Sequence, residues 1–198
     1  MRNKYIIVTI FVFFCTFSTI QAQTEKGKFM IGANTSLDVS SIKVSTSSSS
    51  SSNQTTVNFE PRASYFLFDN FSAGLSFDIS YQGSGYGEAS LLSDFRYYFT
   101  GKKVRPFVKA NIGYRNTQRQ VYYPEMHYSF DLDGLTIGGG MGFAFFVSDN
   151  ISIDLGAQYF HSDLDQVGKE YLNVYDQRVY SKAKLNDINM FVGLSMYF

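Results

Sequence analysis

The sequence predicts an all-β protein that closes into an eight-stranded, antiparallel, up-and-down transmembrane β-barrel. Apolar and polar residues alternate with period two along eight segments, the pattern of a sheet whose two faces meet different surroundings. Short turn sequences alternate with longer polar links between these segments. Charged residues make up 17% of the 198-residue chain, below the roughly one quarter that is usual in soluble domains. The 17 basic and 17 acidic side chains cancel, which argues against a nucleic-acid-binding protein.

The first 22 residues differ from the rest and match a secretory signal peptide. Residues 1–4 carry positive charge, residues 6–17 are almost entirely apolar, and small or polar residues lead to Ala22. The apolar run is shorter than the roughly 20 residues that a membrane-spanning helix needs. We therefore predict that residues 1–22 are removed during export and that residues 23–198 form one barrel domain. Cys15 is the only cysteine, so the exported chain has no disulfide.

Four segments show the alternation most clearly, and four show it more weakly. The clear segments are residues 71–81, 135–145, 151–159 and 188–198; the weaker ones are residues 29–39, 57–67, 89–99 and 108–114. An apolar set of about 9–11 residues is the length that a tilted strand needs to cross a bilayer. The turns at 69–70, 101–103 and 148–150 are short, whereas the links at 45–56, 82–87, 117–128 and 163–183 are long. Short turns at one end and long loops at the other are typical of a transmembrane barrel.

The direction of the apolar face decides the class of protein. If this face meets lipid, aromatic residues should form two belts. One belt is predicted near the short turns, at Phe29, Tyr65, Phe71, Tyr97, Phe99, Phe145 and Phe198, and the other near the long links, at Phe59, Tyr81, Tyr114 and Tyr159. Because lipid offers no hydrogen bonds, the first and last strands should pair and close the sheet. The alternative is a soluble ligand-binding barrel whose apolar face points inward.

The opposite face carries charged residues at mid-strand depth, which predicts a polar lumen. These residues are Glu60, Arg62, Asp78, Asp94, Arg96, Lys109 and Asp154. An eight-stranded barrel is just wide enough for side chains to fill it. We therefore expect a structural network of paired charges, with Arg62 directly or diagonally opposite Asp78. Water-filled pockets near the barrel ends are the alternative environment for some of these charges.

Two local features of the predicted strands bear on this packing. Gly138, Gly140 and Gly142 share the inner face and should leave room for long Arg and Lys side chains. Pro61 has no backbone N–H to donate to a closed ladder, and we predict a bulge at this position. With a filled lumen, the barrel would not be an open conduit.

Residues of the types used in catalysis occur, but not in a catalytic arrangement. His161-Ser162-Asp163 contains the triad residue types, yet neighbours on a strand point to opposite faces. The acidic pairs at 131–133 and 163–165 match no full calcium-binding loop and are interpreted as solvated loop charge. We predict no catalytic, cofactor or metal site. Basic residues near the long links are candidates to meet lipopolysaccharide phosphates, with ordinary solvation at the barrel rim as the alternative: Arg115, Arg119, Arg178, Lys182 and Lys184.

Several sequence phrases resemble a known family. They are residues 61–70 (PRASYFLFDN), 95–99 (FRYYF), 105–108 (RPFV) and the terminal 193–198 (GLSMYF). With these, the chain resembles the eight-stranded outer-membrane β-barrel superfamily, which includes the transmembrane domain of outer-membrane protein A and its X and W relatives. It looks most like the stand-alone barrel proteins of Bacteroidetes. In this family the terminal strand is an assembly signal, and Gly193, Met196 and Phe198 match it, whereas Phe191 stands where a polar residue is usual.

The resemblance implies a location and a set of partners. It implies an outer-membrane protein in contact with lipid and lipopolysaccharide, folded with periplasmic chaperones and the barrel-assembly machinery. It also implies a structural or surface-interaction role through four long extracellular loops, with a narrow channel for small or hydrophobic solutes as the alternative. The peptidoglycan-binding domain that follows the barrel of outer-membrane protein A is not expected here.

Overall fold

The computed structural model describes residues 24–45, 50–82, 86–123, 126–167 and 182–198. The predicted signal peptide, residues 1–22, lies outside these ranges. The described residues form eight strands in chain order: β1 Phe29–Ser45, β2 Ser50–Phe68, β3 Phe71–Gln82, β4 Tyr86–Tyr98, β5 Val104–Tyr123, β6 Met126–Ser148, β7 Ile151–Val167 and β8 Lys182–Tyr197. Each strand pairs with the next in one closed antiparallel barrel, as predicted. Within these ranges, no helix has the length and hydropathy needed to traverse a bilayer.

The barrel closes by pairing of its first and last strands. The β1–β8 ladder runs from Met30 opposite Tyr197 to Ser45 opposite Lys182. At the short-turn end of this ladder, the backbone N–H of Phe29 donates to the carbonyl of Phe198 at 3.1 Å, and the N–H of Phe198 donates to the carbonyl of Phe29 at 2.9 Å. No sheet edge of these two strands is left open over this length, which is the condition for a sheet in lipid.

Apolar side chains face outward and charged side chains face inward. Leu75, Ile153 and Val192 are 57%, 39% and 50% exposed on the outer surface. Asp78 and Arg96, by contrast, are only 5% and 0% exposed. This arrangement is the reverse of a soluble protein and excludes the alternative of an inward apolar face.

The predicted aromatic belts lie on the outer surface. Exposed members are Phe29, Tyr65, Tyr97, Phe99 and Phe145 near the short turns, and Phe59, Tyr114 and Tyr159 towards the other end. Phe71 and Phe198 are partly exposed, and the side chain of Tyr81 lies outside the described part. A lipid-facing band between two aromatic belts is the surface of a membrane-spanning barrel.

The strands extend further than the sequence predicts. Residues 50–56, assigned to a long loop, are paired with β1 up to Ser50 opposite Val44. Likewise, β5 and β6 pair up to Tyr123 opposite Met126, and β3 and β4 pair up to Gln82 opposite Tyr86. The predicted links 45–56 and 117–128 are therefore mostly strand, and residues 82, 86 and 87 of the link 82–87 are strand as well. Polar residues resemble loops in a sequence, but their backbone N–H and C=O groups can pair in a ladder as those of apolar residues do.

The predicted bulge at Pro61 is wrong. The β2–β3 register is the same on both sides of the proline, with Phe59 opposite Ile79 and Arg62 opposite Ser76. Between these two pairs, the β2–β3 ladder has no partner for Glu60 or Pro61. On its other side, Pro61 stays opposite Ala33 of β1. A missing donor can thus be accommodated by omitting a bond, without inserting a residue. The β2–β3 register shift lies instead between Phe66 and Phe68, beside the turn.

Candidate functional site: the enclosed charge network

The centre of the lumen is an ion pair between opposite walls. Arg62 of β2 donates from Nη2 to Asp154 Oδ2 of β7 at 2.6 Å, and neither side chain is exposed. Ser195 donates to the same carboxylate oxygen at 2.6 Å, and Ser152 donates to Oδ1 at 2.7 Å. Arg62 also donates to Asn34 of β1. Four strands are therefore tied together through one enclosed carboxylate.

Further ion pairs continue this network around the wall. Arg96 Nε lies 2.9 Å from Asp94 Oδ1, and Lys109 Nζ lies 3.0 Å from Glu60 Oε1. Lys109 also donates to Gln158 at 2.6 Å. Contacts of 3.7 Å from Arg96 to Asp154 and from Lys109 to Asp94 join the pairs. Six of the seven predicted lumen residues thus lie in one connected group.

Asp78 is the seventh predicted residue, and it lies apart. Arg62 is opposite Ser76 and therefore diagonal to Asp78, as the turn register suggests. The expected Arg62–Asp78 pair nevertheless does not form, because the guanidinium crosses to Asp154. An eight-stranded lumen is narrow enough for an arginine to reach the far wall, so a partner there competes with the diagonal neighbour.

A second group of charges lies nearer the outer end, meaning the end opposite the short turns. Arg115 donates to Asp187 of β8, lies 3.0 Å from Glu88, and donates from Nε to Ser90 at 3.2 Å. Arg115 is buried, so the prediction that it meets lipopolysaccharide is wrong. Arg115 follows Lys109 by six residues on β5, and this even spacing places both side chains on the inner face. The spacing alone could have predicted that Arg115 is buried. Lys184 is exposed, and the side chains of Arg119, Arg178 and Lys182 lie outside the described part.

Aromatic side chains fill the lumen at the short-turn end. This aromatic plug consists of Met30, Phe66, Tyr98, Phe107, Ala144, Phe146, Phe191 and Tyr197. Arg105 covers it from below, with its guanidinium 5.3 Å from the ring centroid of Phe146. Arg105 also donates to the carbonyl of Gly101 at 2.8 Å and to the hydroxyl of Thr24. The sequence predicts aromatic residues in the lipid belts but no aromatic cluster in the lumen, although Phe66 has the inward parity of Arg62 and Tyr98 that of Arg96.

Polarity inverts where the barrel leaves the lipid-facing band. Near the outer end, an apolar cluster lies inside: Leu132, Leu164, Ala183 and Leu185. On the outer surface of the same strands, Asp163 is exposed and lies 3.5 Å from Lys184. The two acidic pairs of the sequence thus belong to β6 and β7 and not to loops, with Asp133 opposite Asp165. Above the band the barrel has the polarity of a soluble protein.

Comparisons with known proteins agree with this geometry. No protein-family model matches the sequence, and no curated protein matches it. Solved structures do match. Neisserial surface protein A superposes with a TM-score of 0.60 at 14% identity, over 87% of this chain and 100% of that one. The chain has the fold of the small outer-membrane β-barrel proteins.

Two further outer-membrane structures show the same fold. The outer-membrane protein AlkL, solved in lipid bilayers, gives a TM-score of 0.57 at 15% identity and covers 92% of this chain and 95% of its own. Ail, the attachment invasion locus protein of Yersinia pestis, gives 0.52 at 14% identity and covers 87% of this chain and 99% of its own. These matches therefore cover most of the chain.

Only two of the three triad residue types are brought together, since His161 Nε2 lies 3.5 Å from Asp163 Oδ2 and Ser162 lies apart. Ser162 points into the lumen and shares a hydrogen bond of 2.8 Å with Thr136. His161 and Asp163 are on the outer face, where His161 Nδ1 lies 2.7 Å from Asn186 Oδ1. Among the described residues, no group of three His, Cys, Asp or Glu side chains is placed to hold a metal.

The predicted assembly-signal residues lie where the barrel closes. Gly193 is opposite Asn34 of β1, and Met196 is opposite Ile31. A Cβ atom at Gly193 would come within 2.1 Å of Asn34 Oδ1, so the glycine makes room for the side chain that accepts from Arg62. The role of these residues in assembly stays a prediction.

The glycines of β6 make room for rings and not directly for cationic stems. A Cβ atom at Gly138 would lie 2.2 Å from Phe160 Cδ1, and one at Gly142 would lie 2.8 Å from Phe107 Cζ. A guanidinium group stacks near each ring: that of Arg115 is 5.7 Å from the ring centroid of Phe160, and that of Arg96 is 5.2 Å from the ring centroid of Phe107. Gly138 and Gly142 therefore leave room for long basic side chains only indirectly, by leaving room for the rings on which those side chains pack.

Replacing Gly142 by alanine should destabilise the barrel, whereas replacing Gly139 should not. The new Cβ atom at position 142 would also lie 2.4 Å from the carbonyl oxygen of Leu155, a backbone atom that cannot step aside. Overpacking of this kind costs about 1–3 kcal/mol. At Gly139 the nearest atom is 3.5 Å away, an ordinary contact. Urea unfolding of both variants in lipid vesicles checks this; equal stability would contradict the packing.

Proposed function

We propose that the protein is an integral outer-membrane barrel that acts through its surface and not by conducting solutes. The enclosed charge network carries this proposal. Arg62 crosses the lumen to Asp154, and the aromatic plug fills the lumen below it. A side-chain-filled interior supports a structural role in the membrane and contacts through the extended hairpins at the outer end.

The partners follow from the outer surface. The lipid-facing band suits acyl chains, and the inverted polarity above it suits the aqueous lipopolysaccharide layer. The neighbouring structures include a protein named as a surface protein and one named for attachment and invasion, which supports a surface-interaction role. The terminal strand supports delivery by periplasmic chaperones to the barrel-assembly machinery. The surface ligand itself is left open, and the proposal includes no catalysis.

Planar-bilayer recording tests the filled lumen. We expect the purified wild-type barrel to show no conductance steps of porin size, because charged and aromatic side chains block the pathway. The Asp154→Ala variant removes the carboxylate that links the two walls and should increase the leak. Regular conductance steps in the wild type would contradict the proposal, and small steps would favour the narrow-channel alternative.

Location is tested separately from conduction. We expect the protein to fractionate with the outer membrane and to migrate differently in detergent gels before and after boiling. A soluble periplasmic pool would contradict the outer-membrane location, whatever the conductance of the barrel.

A further inference from the structure

Asp78 is a buried carboxylate without a counter-charge. It lies on the inner face of β3, opposite Ser90 of β4. Its Oδ1 atom is enclosed and accepts no hydrogen bond. Among the described residues, no Arg, Lys or His nitrogen lies within ion-pair distance of the Asp78 carboxylate, whereas the other lumen carboxylates predicted from the sequence all have such partners. Enclosing an unpaired carboxylate is unfavourable unless something neutralises it.

The residues around Asp78 make its unpaired charge still less favourable. The β2–β3 register on either side, Phe59 opposite Ile79 and Arg62 opposite Ser76, places Glu60 across from Asp78. Glu60 keeps its own charge, because Lys109 lies 3.0 Å from Oε1 and Asn34 donates to Oε2. Like charges opposite one another across a strand pair destabilise the sheet. Asp78 therefore faces a carboxylate that is already ionised and paired.

The described lumen wall as a whole carries an excess of negative charge. Its carboxylates are Glu60, Asp78, Glu88, Asp94, Asp154 and Asp187, and its cations above the aromatic plug are Arg62, Arg96, Lys109 and Arg115. Six carboxylates thus face four cations. Glu88 and Asp187 share Arg115, so one of the two excess negative charges belongs to that group. The other lies at Asp78, which has no basic partner of its own.

The inner wall beside Asp78 offers further oxygen atoms. Ser76, the next inward residue on β3, has a buried hydroxyl without a hydrogen-bond partner. The Arg62 guanidinium, on the strand opposite Ser76, points away to Asp154. Carboxylate, hydroxyl and water oxygens are the ligands that hard cations prefer. We propose that Asp78 and Ser76 bind a small monovalent cation, Na⁺ or K⁺, with water completing its coordination.

The choice of a monovalent ion follows from the ligand count. Divalent ions in proteins are usually held by several carboxylates. Here the second nearby carboxylate, Glu60, has both oxygens engaged by Lys109, Asn34 and Gln158. One free carboxylate and one hydroxyl match a single positive charge.

Unfolding in different salts tests the site. The mature chain, refolded in zwitterionic micelles free of lipopolysaccharide, is unfolded with urea at one ionic strength in choline chloride, NaCl or KCl. A bound cation stabilises the folded state by mass action, so the wild-type midpoint should be higher in NaCl or KCl than in choline chloride. Asp78→Asn removes the charge, and its midpoint should be the same in all three salts. Ser76→Ala should show a smaller salt difference than the wild type.

The matched control is Asp163→Asn, which removes an exposed carboxylate from the outer face and should keep the full salt difference. A wild type without cation preference, or an Asp78→Asn variant that keeps it, overturns the site. A wild-type midpoint that responds to pH but not to the cation also overturns it, because a proton then neutralises Asp78. If Asp78→Asn does not fold, equal salt dependence in Ser76→Ala and Asp163→Asn overturns the proposal.

Discussion

Replacing Asp154 by alanine is expected to lower the free energy of unfolding by about 3–5 kcal/mol, the cost of leaving a buried charge without its partner. Asp154 is fully enclosed and lies 2.6 Å from Arg62 and 3.7 Å from Arg96. Its removal leaves two guanidinium groups without this carboxylate, and it also removes the acceptor to which the hydroxyls of Ser152 and Ser195 donate. The sequence contains no tryptophan, so circular dichroism or the gel shift between folded and unfolded forms is the suitable measurement.

Two further variants separate the ion pair from a general loss of packing. Asp163→Ala removes an exposed carboxylate 3.5 Å from Lys184, and exposed pairs contribute only about 0–1 kcal/mol. The double variant Arg62→Ala/Asp154→Ala removes both charges, so its loss should be smaller than the sum of the two single losses. Additive losses would show that the two side chains act independently, against the contact described here.

The faces of the lumen residues could be predicted from the sequence, but their partners could not. Period two fixes which side of a strand a residue occupies, and this placed Arg62, Arg96 and Asp154 inside. Arg62 and Asp154 are 92 residues apart in the chain. The tilt and stagger of the closed barrel and the length of the arginine side chain decide which lumen residues are in contact. The alternation along a single strand does not show the tilt or the stagger.

The outer end was harder to predict for a different reason. Within the lipid-facing band, an apolar residue points outward, and this rule was applied to the whole chain. Above the band the rule reverses, so Leu132 and Leu164 lie inside while Asp163 faces water. The acidic pairs around these leucines were therefore interpreted as loops. Recognising that the surrounding solvent changes along one strand would have identified them as strand residues.

Placing an arginine at Leu75 should destabilise the barrel in a bilayer by about 2–4 kcal/mol, the depth-dependent cost of a basic side chain near the midplane. Leu75 is exposed on the outer surface, four residues beyond Phe71 of the aromatic belt near the short turns. At roughly 3.3 Å per residue and a tilt of roughly 40°, this puts it about 10 Å into a band about 25 Å tall. Urea unfolding of Leu75→Arg in lipid vesicles measures the loss.

A variant at the edge of the band makes this result specific for lipid. Val104 is also exposed and apolar, but it opens β5 beside the short turn at 101–103. Near the interface an arginine costs only about 0–1 kcal/mol, because its side chain reaches the headgroups and water. In water both sites are solvent-exposed, so neither substitution would be costly. A large loss at Leu75 with a small one at Val104 therefore follows only if the apolar face lies against acyl chains, and equal small losses would contradict the membrane-spanning orientation.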